Sequence, residues 1–292
     1  MAWLQLIIDT DSTRADAIGD LLELLDAQAV TFTDGKDTPM YEPKPGEVLL
    51  WPDTRVIGLF DSDINTTELI ERLRASSAIQ ESDKLKAEQL EDKDWIREWM
   101  DSFHPMQFGS RLWVCPSWRD VPDQNAVNVM LDPGLAFGTG THPTTALCLE
   151  WLDGLRLDNT SVVDFGCGSG ILGVAALKLG AANCVGIDID PQALIATEAN
   201  AQRNDVSEQF QVYLPGNEPK FTADVVVANI LSGPLIELKE TITGFCKPQG
   251  KLVLSGILAE QVEQIEAAYA TDFILEPSKI KGEWARVSGT RR

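Results

Sequence analysis

A glycine-rich turn after a short apolar strand constrains this sequence more than any other feature. Residues 162–164 (V-V-D) lead into F-G-C-G-S-G, and the apolar stretch 171–179 that follows is predicted to be a helix. Alternate glycines let the backbone turn sharply and approach a ligand closely. This arrangement is typical of a nucleotide site at the carboxyl end of the first strand of an α/β sheet. A purely structural turn is the alternative.

The spacing of these glycines separates two classes of nucleotide site. A dinucleotide fingerprint, G-x-G-x-x-G, counted from Gly166 would place its third glycine where the sequence has Ile171. The observed G-x-G-x-G, preceded by Asp164, resembles motif I of class I S-adenosylmethionine methyltransferases. Asp188, 22 residues after Gly166 and at the end of the next predicted strand, suits two hydrogen bonds to a ribose diol. Because nicotinamide enzymes also carry an acid here, Asp188 supports a nucleoside cofactor without choosing between the classes.

Asn229, Ile230 and Leu231 follow a third buried strand, 224–228, and form the predicted catalytic segment. In amine-directed methyltransferases this position often carries Asn or Asp before a short loop. The Asn229 amide and the backbone of Ile230 and Leu231 would hold an incoming nitrogen in line with the methyl group. An asparagine that only caps the next helix is the alternative.

The segment 132–145 precedes the sheet and contains A-F-G-T-G-T-H-P-T-T. It is not a Walker loop, because no Gly-Lys-Ser/Thr follows. Its glycines indicate a loop that approaches a ligand closely, and Thr144 and Thr145 are predicted to cap the following helix. Phe137 and the hydroxyl groups are suited to covering the methionine end of a cofactor.

Together, A-F-G-T-G-T-H-P-T-T, D-F-G-C-G-S-G, G-I-D-I-D and V-V-A-N-I-L resemble the PrmA family, bacterial methyltransferases of a stalk-base protein of the large ribosomal subunit (protein eleven). The first motif is specific to that family, whereas the others occur across class I methyltransferases. The resemblance implies direct SN2 transfer from S-adenosylmethionine to lysine ε-amines and the N-terminal α-amine of a ribosomal protein. The residues that it implies for cofactor binding are Phe137, Gly138, Thr144, Thr145, Asp164, Gly166, Gly168, Asp188 and Asn229.

The order of predicted elements divides the chain into two parts. In the second part, strands alternate with helices, which predicts an α/β fold with a doubly wound, mostly parallel sheet. The class I resemblance implies seven strands, and 273–277 with 284–287 are predicted to form an antiparallel hairpin at the sheet edge. Residues 1–91 have the pattern βαββαβ, which predicts a small α+β ferredoxin-like domain. The family resemblance assigns this domain to substrate recognition, followed by a linker helix over 92–104 and the methyltransferase domain over 105–292.

Charge indicates the kind of partner to expect. The 45 acidic and 24 basic residues give a net charge of −21, which disfavours direct binding of nucleic acid and favours a cationic partner. Residues 1–95 hold 21 acidic and 9 basic residues, a net charge of −12, so the N-terminal domain is expected to meet a basic ribosomal protein. Acidity that serves solubility alone is the alternative.

Other features of the composition exclude further classes. Two histidines and five scattered cysteines without a C-x-x-C pair predict no metal site and a reducing compartment. The sequence has no apolar run near the roughly 20 residues that span a membrane, and its N-terminus lacks a basic leader. We therefore expect a soluble, cytoplasmic protein without membrane contact.

The leading hypothesis is an S-adenosylmethionine-dependent protein N-methyltransferase. The alternatives are a nicotinamide-dependent oxidoreductase, an RNA methyltransferase and a ribosome-assembly module that binds the cofactor without catalysis. Ile171 argues against the first, and the net charge of −21 argues against the second. A lysine amine has a pKa of about 10.4 and must lose a proton before it is methylated. We expect loss to water, with His142 as the one candidate base.

Overall fold

Four stretches of the chain, 3–36, 50–90, 103–132 and 142–292, are described by the computed structural model. The chain separates into two units, with the boundary between residues 102 and 103. The predicted linker helix over 92–104 lies outside the described residues, except for its last two positions. None of the helices in these four stretches combines the length and apolarity needed to cross a membrane.

The N-terminal unit has the predicted order βαββαβ. Its elements are β1 (Trp3–Asp11), α1 (Ser12–Leu24), β2 (Ala29–Asp34), β3 (Asp53–Asp61), α2 (Thr66–Arg74) and β4 (Lys84–Leu90). The strands lie in the order β2-β3-β1-β4, and every neighbouring pair is antiparallel. Alternate side chains of β1 and β3 are buried, as expected for a sheet with one face against helices.

A small three-stranded sheet that the sequence analysis did not predict opens the C-terminal unit. Strand β5 (Met106–Phe108) pairs antiparallel with β6 (Leu112–Cys115), which pairs parallel with β7 (Val127–Met130). With three or four residues each, these strands are too short to show a clear alternation of apolar and polar residues.

The rest of the C-terminal unit alternates between strands and helices, as predicted. The elements are α3 (Pro143–Asp153), β8 (Ser161–Phe165), α4 (Ile171–Lys178), β9 (Asn183–Ile187), α5 (Pro191–Arg203), β10 (Phe210–Tyr213), β11 (Ala223–Asn229), α6 (Ser232–Glu237), α7 (Lys239–Phe245), β12 (Cys246–Leu258), α8 (Val262–Tyr269), β13 (Phe273–Leu275), β14 (Lys279–Lys281) and β15 (Trp284–Arg291), with one 3₁₀ turn at Ala259–Gln261.

The large sheet brings the ends of three central strands together. Its order is β10-β9-β8-β11-β12-β15-β13, with β14 attached to β15. The first five strands of this order are parallel, and β15 is antiparallel to both of its neighbours. Because chain order reverses between β8 and β11, the carboxyl ends of β8, β9 and β11 border a crevice at a topological switch point.

The doubly wound, mostly parallel sheet confirms the predicted fold class. Buried side chains of α3, α4 and α5 pack on one face, and those of α6, α7 and α8 pack on the other.

The C-terminal strands confirm the predicted antiparallel pairing at the sheet edge, where β13 is the edge strand and pairs with β15. Seven strands form the main path, and β14 is an eighth strand that lies between the two predicted strands of the hairpin in the sequence and pairs with β15. The residues that pair differ from the prediction, because β13 pairs with Gly289 to Arg291 of β15, while Trp284 to Arg286 pair with β14. The residues of β15 from Ala285 to Gly289 are all buried, which suits an interior strand covered on both faces.

Candidate active site

The glycine-rich turn joins β8 to α4 in backbone conformations that favour glycine. Gly166, Gly168 and Gly170 have φ values of 73°, 55° and 74°. The Gly166 N–H donates to the Ile187 carbonyl of β9 at 2.7 Å. A Cβ atom on Gly166 would lie 2.2 Å from Cγ2 of Ile230. The turn and the loop after β11 therefore touch only because residue 166 has no side chain.

Asp188 ties the turn to the end of β9. Its Oδ2 accepts a hydrogen bond from the Gly168 N–H at 2.9 Å, and its Oδ1 accepts from the Asp190 N–H at 3.0 Å. A carboxylate offers about four acceptor positions. Both oxygens of this half-buried group can therefore accept further hydrogen bonds, such as those from the two hydroxyls of a ribose.

Asp164 lies beneath the turn, with 1% of its surface exposed. Its Oδ2 accepts from the Gly173 N–H of α4 at 2.8 Å, and its Oδ1 has no hydrogen-bond partner in the described part of the chain. Burial raises the pKa of Asp164 to about 7, and the Asp188 charge adds to the rise. The carboxyl group supports the turn and the start of α4 from inside, whereas Asp188 is accessible.

Two predicted residues from distant parts of the sequence meet at the end of β11. The Asn229 Nδ2 donates to Oγ1 of Thr145, 84 positions away, at 3.3 Å. Thr145 is buried in the first turn of α3. The two residues that follow Asn229 are more accessible: Ile230 is half-buried, and Leu231 is 44% exposed. This contact joins the predicted catalytic segment to the start of α3.

Gly256 of β12 packs against the loop after β11. It is not among the residues predicted from the sequence for the site. A Cβ atom on Gly256 would lie 2.3 Å from the Ile230 carbonyl oxygen, and its φ is +83°. The pairing of β12 with β15 shifts register between Leu254 and Ile257. An isolated glycine within a strand is the usual signal for such a bulge.

Helix α3 starts differently from the prediction that Thr144 and Thr145 cap it. His142 is the N-cap, and Pro143 occupies the first turn, where a missing N–H costs nothing. The Thr144 N–H donates to His142 Nδ1 at 3.4 Å, and Thr144 Oγ1 lies 2.7 Å from the same atom. The imidazole packs edge-on against Trp284 with ring centroids 4.6 Å apart, and partial desolvation lowers the pKa of His142. Its Nδ1 therefore serves the helix start as a neutral acceptor.

The described part of the candidate site is a cluster at one edge of the sheet. Phe137 and Gly138 lie outside the described residues. The other predicted site residues lie at the ends of β8, β9 and β11 and at the start of α3: Thr144, Thr145, Asp164, Gly166, Gly168, Asp188, Asn229, Ile230 and Leu231. Within the described stretches, no group of three or more His, Cys, Asp or Glu side chains could hold a metal ion.

The family model and the named relatives match the chain over almost its whole length. The family model described as ribosomal protein L11 methyltransferase (PrmA) matches residues 2–292. The chain belongs to the PrmA family. The PrmA relatives include proteins named ribosomal protein L11 methyltransferase from Alteromonas mediterranea, at 65% identity over 292 residues, and Pseudoalteromonas atlantica, at 63% over 292 residues; both matches cover 100% of each chain. The crystal structure of ribosomal protein L11 methylase from Lactobacillus delbrueckii subsp. bulgaricus is 30% identical, covers 65% of this chain and 100% of that chain, and has a TM-score of 0.58.

Membership of the PrmA family confirms the resemblance and the predicted methyltransferase activity, with S-adenosylmethionine as methyl donor. It excludes the nicotinamide-dependent oxidoreductase. The PrmA residues described above fit this donor. Gly166 and Gly168 present half-buried backbone at the switch point, and Asp188 presents an oriented carboxylate.

Proposed function

We propose that this PrmA-family enzyme methylates lysine ε-amines and the N-terminal α-amine of ribosomal protein L11. The observation that carries the proposal is the hydrogen bond between Asn229 and Thr145 beside the glycine-rich turn. Because the Asn229 amide nitrogen donates to Thr145, its Oδ1 is the end that would accept a hydrogen bond from an amine. An amide oxygen at this place suits a nitrogen nucleophile that brings its own N–H groups.

The chain's contribution to the reaction is binding and alignment. S-adenosylmethionine supplies a methyl group that its sulfonium already activates. Gly166 and Gly168 would allow close approach of the cofactor, Asp188 would accept hydrogen bonds from the ribose, and Thr144 and Thr145 would lie near its methionine end. Phe137 and Gly138 are assigned to the same end by the family resemblance alone. Asn229, with the Ile230 and Leu231 backbone, would orient the amine for direct transfer, for which alignment is the main catalytic term.

Proton loss to water remains our proposal for the amine. His142 is the alternative base, but its Nδ1 accepts from the Thr144 N–H and its ring packs on Trp284. These contacts favour a structural role at the start of α3.

We assign substrate recognition to the N-terminal domain, residues 1–91. Its helix α1 places Asp16, Asp20 and Glu23 around a cavity of about 220 Å³, and Val30 and Phe32 of β2 form the apolar part of the lining. Such a cavity, lined by both carboxylates and apolar side chains, suits a basic protein, such as a protein of the ribosomal stalk base. The charged end of a lysine or arginine side chain would interact with the carboxylates, and its apolar methylene groups would pack on Val30 and Phe32. The reaction would take place in the cytoplasm, where ribosomes assemble.

The test is methyl transfer into ribosomal proteins from cells that lack this methylation. With radiolabelled S-adenosylmethionine, we expect label in protein L11, and mass spectrometry should place it on lysines and on the N-terminal amine. Asn229→Ala should abolish labelling. Label in protein-free ribosomal RNA would establish the RNA alternative instead, and a protein that binds the cofactor but labels nothing would support a non-catalytic assembly module.

A further inference from the structure

Arg286, in the interior strand β15, is a buried cation that the reaction described above does not use. It is 9% exposed, and its Nε has no hydrogen-bond partner among the residues that the structure describes. No ion pair within the described residues includes it. A guanidinium stays protonated inside proteins, and a largely buried charge that lacks an ion pair is costly. Such a group calls for a function that outweighs this cost.

The groups that face Arg286 give it no close ion pair of its own within the described residues. The neighbouring Cys148 thiol is neutral, because burial raises its pKa to about 12. Glu150 and Glu276 also act on Arg286 electrostatically. Each of these carboxylates lies closer to another cation: Glu150 Oε1 is 3.0 Å from Lys281 Nζ, and Glu276 Oε1 is 3.7 Å from Lys251 Nζ. Lys279 pairs with Arg286 in the register of β14 and β15 and adds a further positive charge. Both carboxylates therefore favour the Arg286 charge, but each is paired with a lysine, and neither forms an ion pair with Arg286 within the described residues.

Strand register places this charge near the predicted amine site. Asn229 of β11 is paired with Ser255 of β12, and Arg286 lies opposite the bulge that begins after Leu254. Two strand spacings therefore separate Asn229 from Arg286, about 10 Å.

Both side chains also lie toward helix α3. Asn229 contacts Thr145, and Arg286 acts on Cys148, one helical turn later. The charge and the amine site therefore share one face of the sheet.

We propose that Arg286 lowers the pKa of the substrate amine through its electric field, so that the amine becomes neutral without a dedicated base. The inference rests on the proposed amine methylation. The ammonium gives a proton to water, and the nitrogen lone pair then forms the bond to the methyl carbon as the carbon–sulfur bond breaks and its electron pair stays on sulfur. A unit charge about 10 Å away, at an effective dielectric constant of about 20, lowers an amine pKa by about one unit.

Other titratable groups around the amine site also influence the pKa of the substrate amine. They are Asp164 of β8, Asp188 after β9, His142, Cys148 and Glu150 of α3 and its cap, Lys251 of β12, Glu276 between β13 and β14, and Lys279 and Lys281 of β14. Burial raises the pKa of Asp164 toward neutrality, so its charge is one of these influences as well. Removing one charge at a time therefore isolates each contribution.

The test is the pH dependence of kcat/KM for methylation of protein L11 by the full-length enzyme. Arg286→Gln should raise the apparent pKa by about one unit. Its rate should be about tenfold lower on the acidic side of the profile and should approach the wild-type rate at high pH. Arg286→Lys keeps the charge and should keep the wild-type profile. Glu150→Gln removes an exposed negative charge and should move the profile in the opposite direction, by less than one unit.

An Arg286→Gln rate that falls by the same factor at every pH, or an unmoved profile, would overturn the proposal and leave Arg286 a packing residue. If a thermal melt shows that Arg286→Gln does not fold, Glu150→Gln provides the test. A pH profile of kcat/KM that does not move to lower pH in Glu150→Gln would then refute the field effect. Because the sulfonium of the cofactor is a cation next to the amine, cofactor affinity measured by calorimetry should be no weaker in Arg286→Gln than in the wild type and should be unchanged in Arg286→Lys. A wild-type enzyme that does not methylate protein L11 would instead refute the proposed function.

Discussion

Replacing Gly166 by alanine tests whether the glycine-rich turn and the loop after β11 act as one structure. The new Cβ would lie 2.2 Å from Cγ2 of Ile230, and the residue would keep a φ of +73°. The conformational cost of a side chain in this region is about 1–2 kcal/mol, offset by about 0.4–1 kcal/mol from the unfolded chain. Overpacking adds about 1–3 kcal/mol. We expect Gly166→Ala to lower the free energy of unfolding by about 2–4 kcal/mol.

Gly216 provides the matched control. Its φ is +85°, and a Cβ there would have no atom of the described residues within 4 Å. Gly216→Ala should therefore show the conformational cost alone, about 1 kcal/mol or less. Because Ile230 or the turn must shift in Gly166→Ala, cofactor affinity should fall at least tenfold, which corresponds to about 1.4 kcal/mol, whereas Gly216→Ala should bind normally.

Urea unfolding and calorimetric titration with S-adenosylmethionine measure both effects. Ile230→Ala removes the clashing Cγ2, so the double variant Gly166→Ala, Ile230→Ala should recover about 1–3 kcal/mol relative to the sum of the single changes. Three results together would refute the contact between turn and loop. They are equal stabilities of Gly166→Ala and Gly216→Ala, unchanged cofactor affinity in Gly166→Ala, and additive effects of Gly166→Ala and Ile230→Ala on stability.

Three further predictions concern the carboxylates and the domains. Asp188→Asn should weaken cofactor binding by roughly ten- to hundredfold and leave a cooperative thermal transition, because a hydrogen bond to a charged acceptor contributes about 1.5–3 kcal/mol; unchanged affinity by calorimetry would place the ribose elsewhere. Burial raises the pKa of Asp164 to about 7, so the folded protein binds a proton that the unfolded chain releases between about pH 4 and 7, and stability falls as pH rises through this window. Asp164→Asn should flatten that part of the stability profile, and an unchanged slope in urea unfolding would contradict the burial argument. Deleting residues 1–102 should leave a unit that binds S-adenosylmethionine but methylates protein L11 poorly; methylation at the full-length rate in low salt would assign recognition to the C-terminal unit.

The features that the sequence predicted well depend on local backbone chemistry. Gly166, Gly168 and Gly170 have positive φ values. Because a positive φ favours glycine, glycines at alternate positions in the sequence already indicate this backbone conformation. Apolar runs likewise identify parallel strands that are buried on both faces, such as β8 and β11.

The features that the sequence did not predict depend on packing between distant segments. Motif spacing cannot tell that the Asp164 carboxyl lies inside while Asp188 is accessible, since both acids end a strand. The contact between Asn229 and Thr145 joins two motifs whose separate patterns give no distance. His142, as the cap of α3, was hidden because threonine is the more common cap and two threonines follow it.

The place of β15 reverses the order in which the last strands can assemble. Strand β13 precedes β15 in the chain, yet in the described residues it is joined to the large sheet only through β15. We therefore expect β13 to remain unpaired until β15 has paired with β12. The pairings β12–β15 and β13–β15 would then form in one late step of folding. A chain cut before Trp284 would lose more than a marginal strand: β12 would become an open edge with unpaired backbone groups, a known starting point for aggregation.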